Sequence, residues 1–149
     1  MRTGQEPSED QSTPLAIYLD SSAILRPILE AGLSPSIERQ IDEADVLVTS
    51  RLSLVETARA FARVRLLSER PEAVVADAER DVEALWRRCD IWELSREVCD
   101  RAALVAPRVS LRSLDALHLA TFSLARRQIE GLLFLTADDK LREAAVSTE

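Results

Sequence analysis

Four acidic residues carry the chemistry that this 149-residue chain can offer: Asp20, Glu56, Asp115 and Asp138. Asp20 stands directly after the apolar run Leu15 to Leu19 (LAIYL), and Asp138 lies just past the run Leu132 to Leu135 (LLFL). Glu56 comes early in the helical stretch after the run Val46 to Thr49 (VLVT). It falls about 160° round the helix from a stripe of Leu54, Val55, Ala58, Phe61 and Ala62, so it is expected off the core. Asp115 belongs to the first turn of a helix whose expected core face carries Leu114, Leu117, Thr121 and Ala125, and there the helix dipole favours an ionised carboxylate. Four carboxylates gathered in one place repel and raise one another's pKa unless a cation lies among them. An all-oxygen set suits a hard divalent ion, Mg²⁺ or Mn²⁺, and Mg²⁺ keeps waters that can act as nucleophile. The chemistry this allows is metal-assisted hydrolysis of a phosphodiester.

The elements that must gather these acids are legible as an alternation. The runs LAIYL, VLVT, IWEL (Ile91 to Leu94) and LLFL read as strands, each followed by residues that start helices. Helices are predicted over 34–44, 51–69, 72–88, 96–105, 114–129 and 140–146, with Pro71 ending the second of these and Gly131 closing the fifth. Strands alternating with helices imply right-handed crossovers and a mainly parallel sheet with helices on both faces, an α/β/α arrangement in which ligands bind beyond the carboxyl ends of the strands. Asp20 and Asp138 fall on that edge. Taken singly, each acid also has a plainer reading: Asp20 and Asp138 as caps, Asp115 as a favourable first-turn acid, Glu56 as a solvated surface acid. Convergence of all four on one edge favours the metal.

The segments YLDSSAIL (Tyr18 to Leu25), SLVETARAF (Ser53 to Phe61), RSLDALHLA (Arg112 to Ala120) and FLTADDKL (Phe134 to Leu141) resemble the acidic motifs of PIN-domain ribonucleases, and among them the VapC-type toxins of bacterial toxin–antitoxin pairs. The resemblance runs in the family's order from about Leu15 to the last helix. It implies a three-layer α/β/α PIN-like domain over residues 15–149 and an endoribonuclease dependent on Mg²⁺, with Mn²⁺ as a substitute. Asp20, Glu56, Asp115 and Asp138 match the acids that hold the ion, with Asp138 ahead of the adjacent Asp139. Ser21 and Thr136 match the hydroxyl positions that support the site. The implied partners are an RNA substrate, a small antitoxin and a second copy of the chain in a homodimer.

Composition narrows the rest. With 19 basic against 26 acidic residues the net charge is −7, which argues against nucleic-acid binding through an overall positive field. A local strip remains open, and Arg59, Arg63 and Arg112, with Arg51 nearby, are the candidates for RNA phosphates; a solvated face or an ion pair to Glu56 is the alternative. Lys140 is the sole lysine. Apolar runs fall far short of the roughly 18 residues of a membrane span. The first fourteen residues, polar and without periodicity, are expected to form a flexible tail rather than a leader. Two cysteines, Cys89 and Cys99, are too few for a disulfide framework and point to packing and a reducing cytoplasm. His118, the single histidine, lies on an expected core stripe and is read as packed or structurally hydrogen-bonded, not as part of the mechanism. Trp86 and Trp92 are expected in core or interface. Two rivals stay in view: a non-catalytic domain of the same fold that docks a protein or RNA, and a phosphate-transferring enzyme with Asp20 as nucleophile, disfavoured because no second aspartate stands two residues on.

Overall fold

The apolar run at Ala16–Leu19 (β1) becomes the inner strand of a parallel sheet because it is buried on both sides, as a strand must be when crossover helices cover both faces. The computed structural model describes residues 13–29 and 35–147. Residues 1–12, most of the expected tail, lie outside the described residues, as does Ser34 of the predicted helix 34–44. In chain order the elements are β1, α1 (Ser22–Leu29), α2 (Pro35–Glu43), β2 (Val46–Ser50), α3 (Arg51–Leu67), α4 (Glu72–Arg88), β3 (Cys89–Trp92), α5 (Arg96–Ala102), α6 (Ser113–Arg126), β4 (Leu133–Leu135) and α7 (Asp139–Val146). The strands lie in the order β3-β2-β1-β4, every neighbouring pair parallel. Leu19 is opposite Thr49 on one side and Leu135 on the other, so the residues that follow these three strands leave the sheet at one level.

Alternation along β1 divides the core. Ile17 and Leu19, with Leu47, face a layer that includes Ala23, Phe61, Val82 and Trp86 from α1, α3 and α4. Ala16 and Tyr18, with Val48, face Leu119 and Phe122 of α6 and Leu141 and Ala144 of α7. Burying each large apolar side chain in these layers is worth roughly 1.5–3 kcal/mol. Helix α5 packs on α6 through Val98, Ala120 and Leu124, so α6 is sandwiched and all of His118 to Ala125 is buried.

Several expectations need correction. The third strand is Cys89–Trp92, not Ile91 to Leu94: it is the edge strand, half-exposed, and carries little apolar pattern. Helix α5 ends at Ala102, three residues short, and the chain beyond reaches Ala106 at φ 45°. Helix α6 ends at Arg126, before Gly131 at φ 72°. Val55 and Leu114, assigned to core stripes, are exposed, as is Cys99, whereas burial pushes the Cys89 thiol up to about 12. The buried face of α3 instead runs through Leu52, Ser53, Thr57 and Phe61. Among the described residues no helix is long and apolar enough to cross a membrane.

Candidate active site

Asp20 is the first residue after β1 and only 3% exposed. A carboxylate this deep needs donors, and it has three: Ser22 Oγ donates to Oδ1 at 2.8 Å, the Ala23 N–H to the same oxygen at 3.2 Å, and Thr136 Oγ1 to Oδ2 at 2.7 Å. Burial still pushes the Asp20 carboxyl above its usual range, with those hydrogen bonds and the nearby His118 holding it down. The hydroxyl expected from Ser21 is supplied by Ser22, because the chain turns into α1 at Ser21 and the next side chain faces back onto the strand end. Thr136 is fully buried just after β4. Its Oγ1 also accepts the Asp138 N–H at 3.0 Å, while Ser22 Oγ accepts the Ala137 N–H at 3.0 Å, so two hydroxyls join the end of β1 to the turn after β4.

Asp138 caps α7, its Oδ1 accepting the Leu141 N–H at 3.1 Å, which leaves the second carboxylate oxygen for another ligand. Asp139 is exposed and paired with Arg142 at 2.5 Å. Asp115 sits in the first turn of α6 and is half-buried. Burial raises its carboxyl, and the charge of Asp138 raises it further, with smaller contributions of the same sign from Asp20 and Glu56. Asp115 is thus within electrostatic reach of the other three acids, with His118 acting on it in the opposite sense. Glu56, Asp115 and Asp138 line one cavity of about 520 Å³ together with Ser110, Arg112 and Lys140, and Asp20 lies buried beside them.

Glu56 is not on the far side of its helix from the core. It adjoins the true buried face of α3, with a side chain 23% exposed, and its Oε1 takes a hydrogen bond from His118 Nε2 at 2.6 Å. The other ring nitrogen, Nδ1, lies 2.8 Å from the Tyr18 hydroxyl. His118 is 2% exposed and Tyr18 fully buried. Burial, with the charge of Asp20, drives the Tyr18 hydroxyl far above its ordinary pKa and keeps it protonated. Residue types alone did not reveal Ser22, Tyr18 or Lys140; for His118 the signal was the three-residue spacing from Asp115, which puts both on one face of α6. Arg112 and Lys140 reach the cavity. Arg59 and Arg63 are exposed on α3 and do not line it, and Arg51 is ion-paired with Glu93.

The donor set fits a hard cation. All four groups are carboxylates, and after burial, the main cause, the charge of Asp138 helps to raise the Asp115 carboxyl, a repulsion that an ion would offset. Among the described residues no group of three or more His, Cys, Asp or Glu side chains stands ready to hold a metal ion. Mg²⁺ does not require one, since it is held by one or two carboxylates and keeps several waters.

The PIN domain family model matches residues 17–147. Ribonuclease VapC35 of Mycobacterium tuberculosis is 34% identical over 131 residues, covering 87% of this chain and 89% of that protein. Among solved structures, FitAcB from Neisseria gonorrhoeae superposes with a TM-score of 0.65 at 18% identity, over 87% of this chain and 93% of that one. A toxin–antitoxin complex from Klebsiella pneumoniae gives a TM-score of 0.57 at 17% identity, over 83% and 86%. At these identities the two structures bear on the fold alone.

Proposed function

The chain belongs to the PIN-domain family, and from that premise we propose that it is an endoribonuclease whose acidic edge holds Mg²⁺, or Mn²⁺ in its place, and hydrolyses RNA phosphodiester bonds. The observation that carries the reading is the common cavity of Glu56, Asp115 and Asp138, to which Thr136, whose hydroxyl bonds both the Asp20 carboxylate and the Asp138 N–H, ties the buried Asp20. These four would hold the ion, directly or through water. A bound divalent ion supplies charge to offset the phosphate and makes a water a better nucleophile. The chain's own residues do the rest. Ser22 and Thr136 keep the buried Asp20 carboxylate oriented, and Asp138 is fixed by its cap. Arg112 and Lys140, which line the same cavity as Glu56, Asp115 and Asp138, would contact RNA phosphates there. In this reading Arg59 and Arg63, exposed on α3, would contact phosphates farther along the RNA.

Relatives named ribonuclease VapC, the toxin type that the sequence motifs resemble, support a toxin role with a small antitoxin as partner. We extend the reading to a homodimer in the cytoplasm, with residues 15–149 as the nuclease domain and 1–14 as an appended tail. The test is cleavage of a structured RNA pool with Mg²⁺ or Mn²⁺ against EDTA, comparing the wild type with Asp20→Asn and Asp115→Asn. Cleavage that needs the ion and both acids is expected. An intact pool with metal binding retained would turn the reading toward a domain that binds without cutting. No metal binding at all would leave the acids as caps.

A further inference from the structure

We propose that His118 is a positioning residue for Glu56: held by the Tyr18 hydroxyl, it fixes the Glu56 carboxylate toward the metal edge, so that one strand, β1, sets the place of two of the four acids.

The hydrogen-bond sense supports a fixed arrangement. An ionised Glu56 can only accept, so the hydrogen in the 2.6 Å contact belongs to His118 Nε2. Nδ1 then accepts from Tyr18 if the ring is neutral or donates to it if the ring is charged, and either way the bond to Glu56 runs from histidine to carboxylate. Each link is itself immobilised. Tyr18 stacks on Phe134 with ring centroids 5.2 Å apart and meets Phe122 edge-on at 6.0 Å. His118 meets Tyr18 edge-on at 6.1 Å, within the buried stretch of α6. Glu56, by contrast, is a long side chain on the second turn of a helix, and ordering such a chain from scratch costs rotamer freedom. A buried N–H already aimed at one oxygen removes much of that cost before an ion arrives, and leaves the second oxygen for the ion. Asp20 is two residues along β1 from Tyr18, so the strand that carries one acid also orients another that lies 36 residues away in sequence.

This rests on the metal reading above, and the test separates the two. Mn²⁺ affinity of the full chain is measured by calorimetry without RNA, with thermal unfolding in parallel, for wild type, His118→Leu, His118→Gln, Tyr18→Phe, Glu56→Gln and the His118→Leu/Glu56→Gln double variant. Loss of a group that orients a ligand typically weakens metal binding by about ten- to a hundredfold. That loss is expected for His118→Leu. His118→Gln, whose amide can donate from near the Nε2 position, should return to within a few-fold of wild type. In the Glu56→Gln background His118→Leu should add almost nothing. If His118→Leu does not melt cooperatively, Tyr18→Phe and His118→Gln carry the test, the former weakening Mn²⁺ several-fold. Wild-type affinity in a folded His118→Leu or Tyr18→Phe, a folded Gln variant as weak as the Leu variant, or equal losses with and without Glu56 would overturn the inference while leaving the metal centre intact. A wild type that binds no Mn²⁺ would overturn the metal reading and this inference with it.

Discussion

Replacing Thr136 by valine removes one oxygen and almost nothing else, and that oxygen serves two acids at once. Its hydroxyl donates to Asp20 Oδ2 at 2.7 Å and accepts the Asp138 N–H at 3.0 Å, in a side chain with no exposure. Loss of a hydrogen bond to a charged group costs about 1.5–3 kcal/mol, and a stranded N–H about 1–3 kcal/mol. The Asp138 N–H is only partly buried and can turn to water, so the sum should stay near the lower figures, about 2–4 kcal/mol. For a domain of this size each kcal/mol moves the unfolding midpoint by about 2–4 °C. Thr136→Val should therefore lower Tm by about 5–15 °C, while Thr136→Ser, which keeps the hydroxyl and loses a methyl, should cost about 1 kcal/mol. Because the Thr136 hydroxyl also holds the Asp20 carboxyl down, its loss should weaken Mn²⁺ binding and move its onset to higher pH. Thermal unfolding with and without Mn²⁺ reads both effects. A valine variant within about 2 °C of wild type, or a serine variant as damaged as the valine one, would refute the claim that this hydroxyl holds the site.

Other outcomes follow from the same geometry. Asp115→Asn should leave the metal-free chain as stable as wild type or up to about 1 kcal/mol more stable, since it relieves like-charge repulsion at a half-exposed position, while abolishing cleavage; chemical denaturation beside an RNA assay checks this. The folded-state pKa values of Asp20 and Asp115 are raised above the ordinary 3.8, so the folded chain retains protons that the unfolded chain releases. Their stabilising contribution is fullest below 3.8 and is lost as pH rises through the raised values, while Mn²⁺ affinity climbs over the same window; melts and calorimetry against pH should show opposite slopes. Charge reversal at Arg112 or Lys140 should weaken RNA binding by an Asp20→Asn chain and reduce its salt dependence by about one unit each. The same change at Arg59 or Arg63 should do less, and filter binding across a salt series would expose a reversal of that order.

Where the sequence failed as a guide, it failed for a reason visible in α3. An apolar stripe through Leu54, Val55 and Ala58 looked like its core face, yet Val55 is 53% exposed and Ser53 fully buried. Ser53 accepts a hydrogen bond from Thr49 Oγ1 at 2.8 Å, and Thr57 donates to the Ser53 carbonyl at 2.9 Å, so small hydroxyls with satisfied bonds occupy the interior at little cost. Hydropathy registers none of that, and it placed Glu56 opposite the core when it adjoins it. The inner strands were legible because burial on both faces leaves an unbroken apolar run; the edge strand β3, open on one side, was displaced by two residues. The acids themselves were legible by type and by their place after strands. Their supports were not, since Tyr18 and His118 are separated by 100 positions and Ser22 and Thr136 by 114.

The capping and metal readings of these acids, which compete in the sequence, are compatible in the fold. Asp138 uses one oxygen to start α7, and Asp20 accepts an N–H from the first turn of α1 while Thr136 holds its other oxygen. Each cap is what fixes the carboxylate in space, so the bonds that stabilise the helices also orient the acids. Asp115 has no such partner among the described hydrogen bonds; burial raises its carboxyl, and the charge of Asp138 raises it further. If an ion is the missing counter-charge, Mn²⁺ should stabilise the wild type more than Asp115→Asn, by the mass-action amount its measured affinity dictates. Equal stabilisation of both chains would mean that the ion binds elsewhere and that Asp115 is a first-turn acid after all.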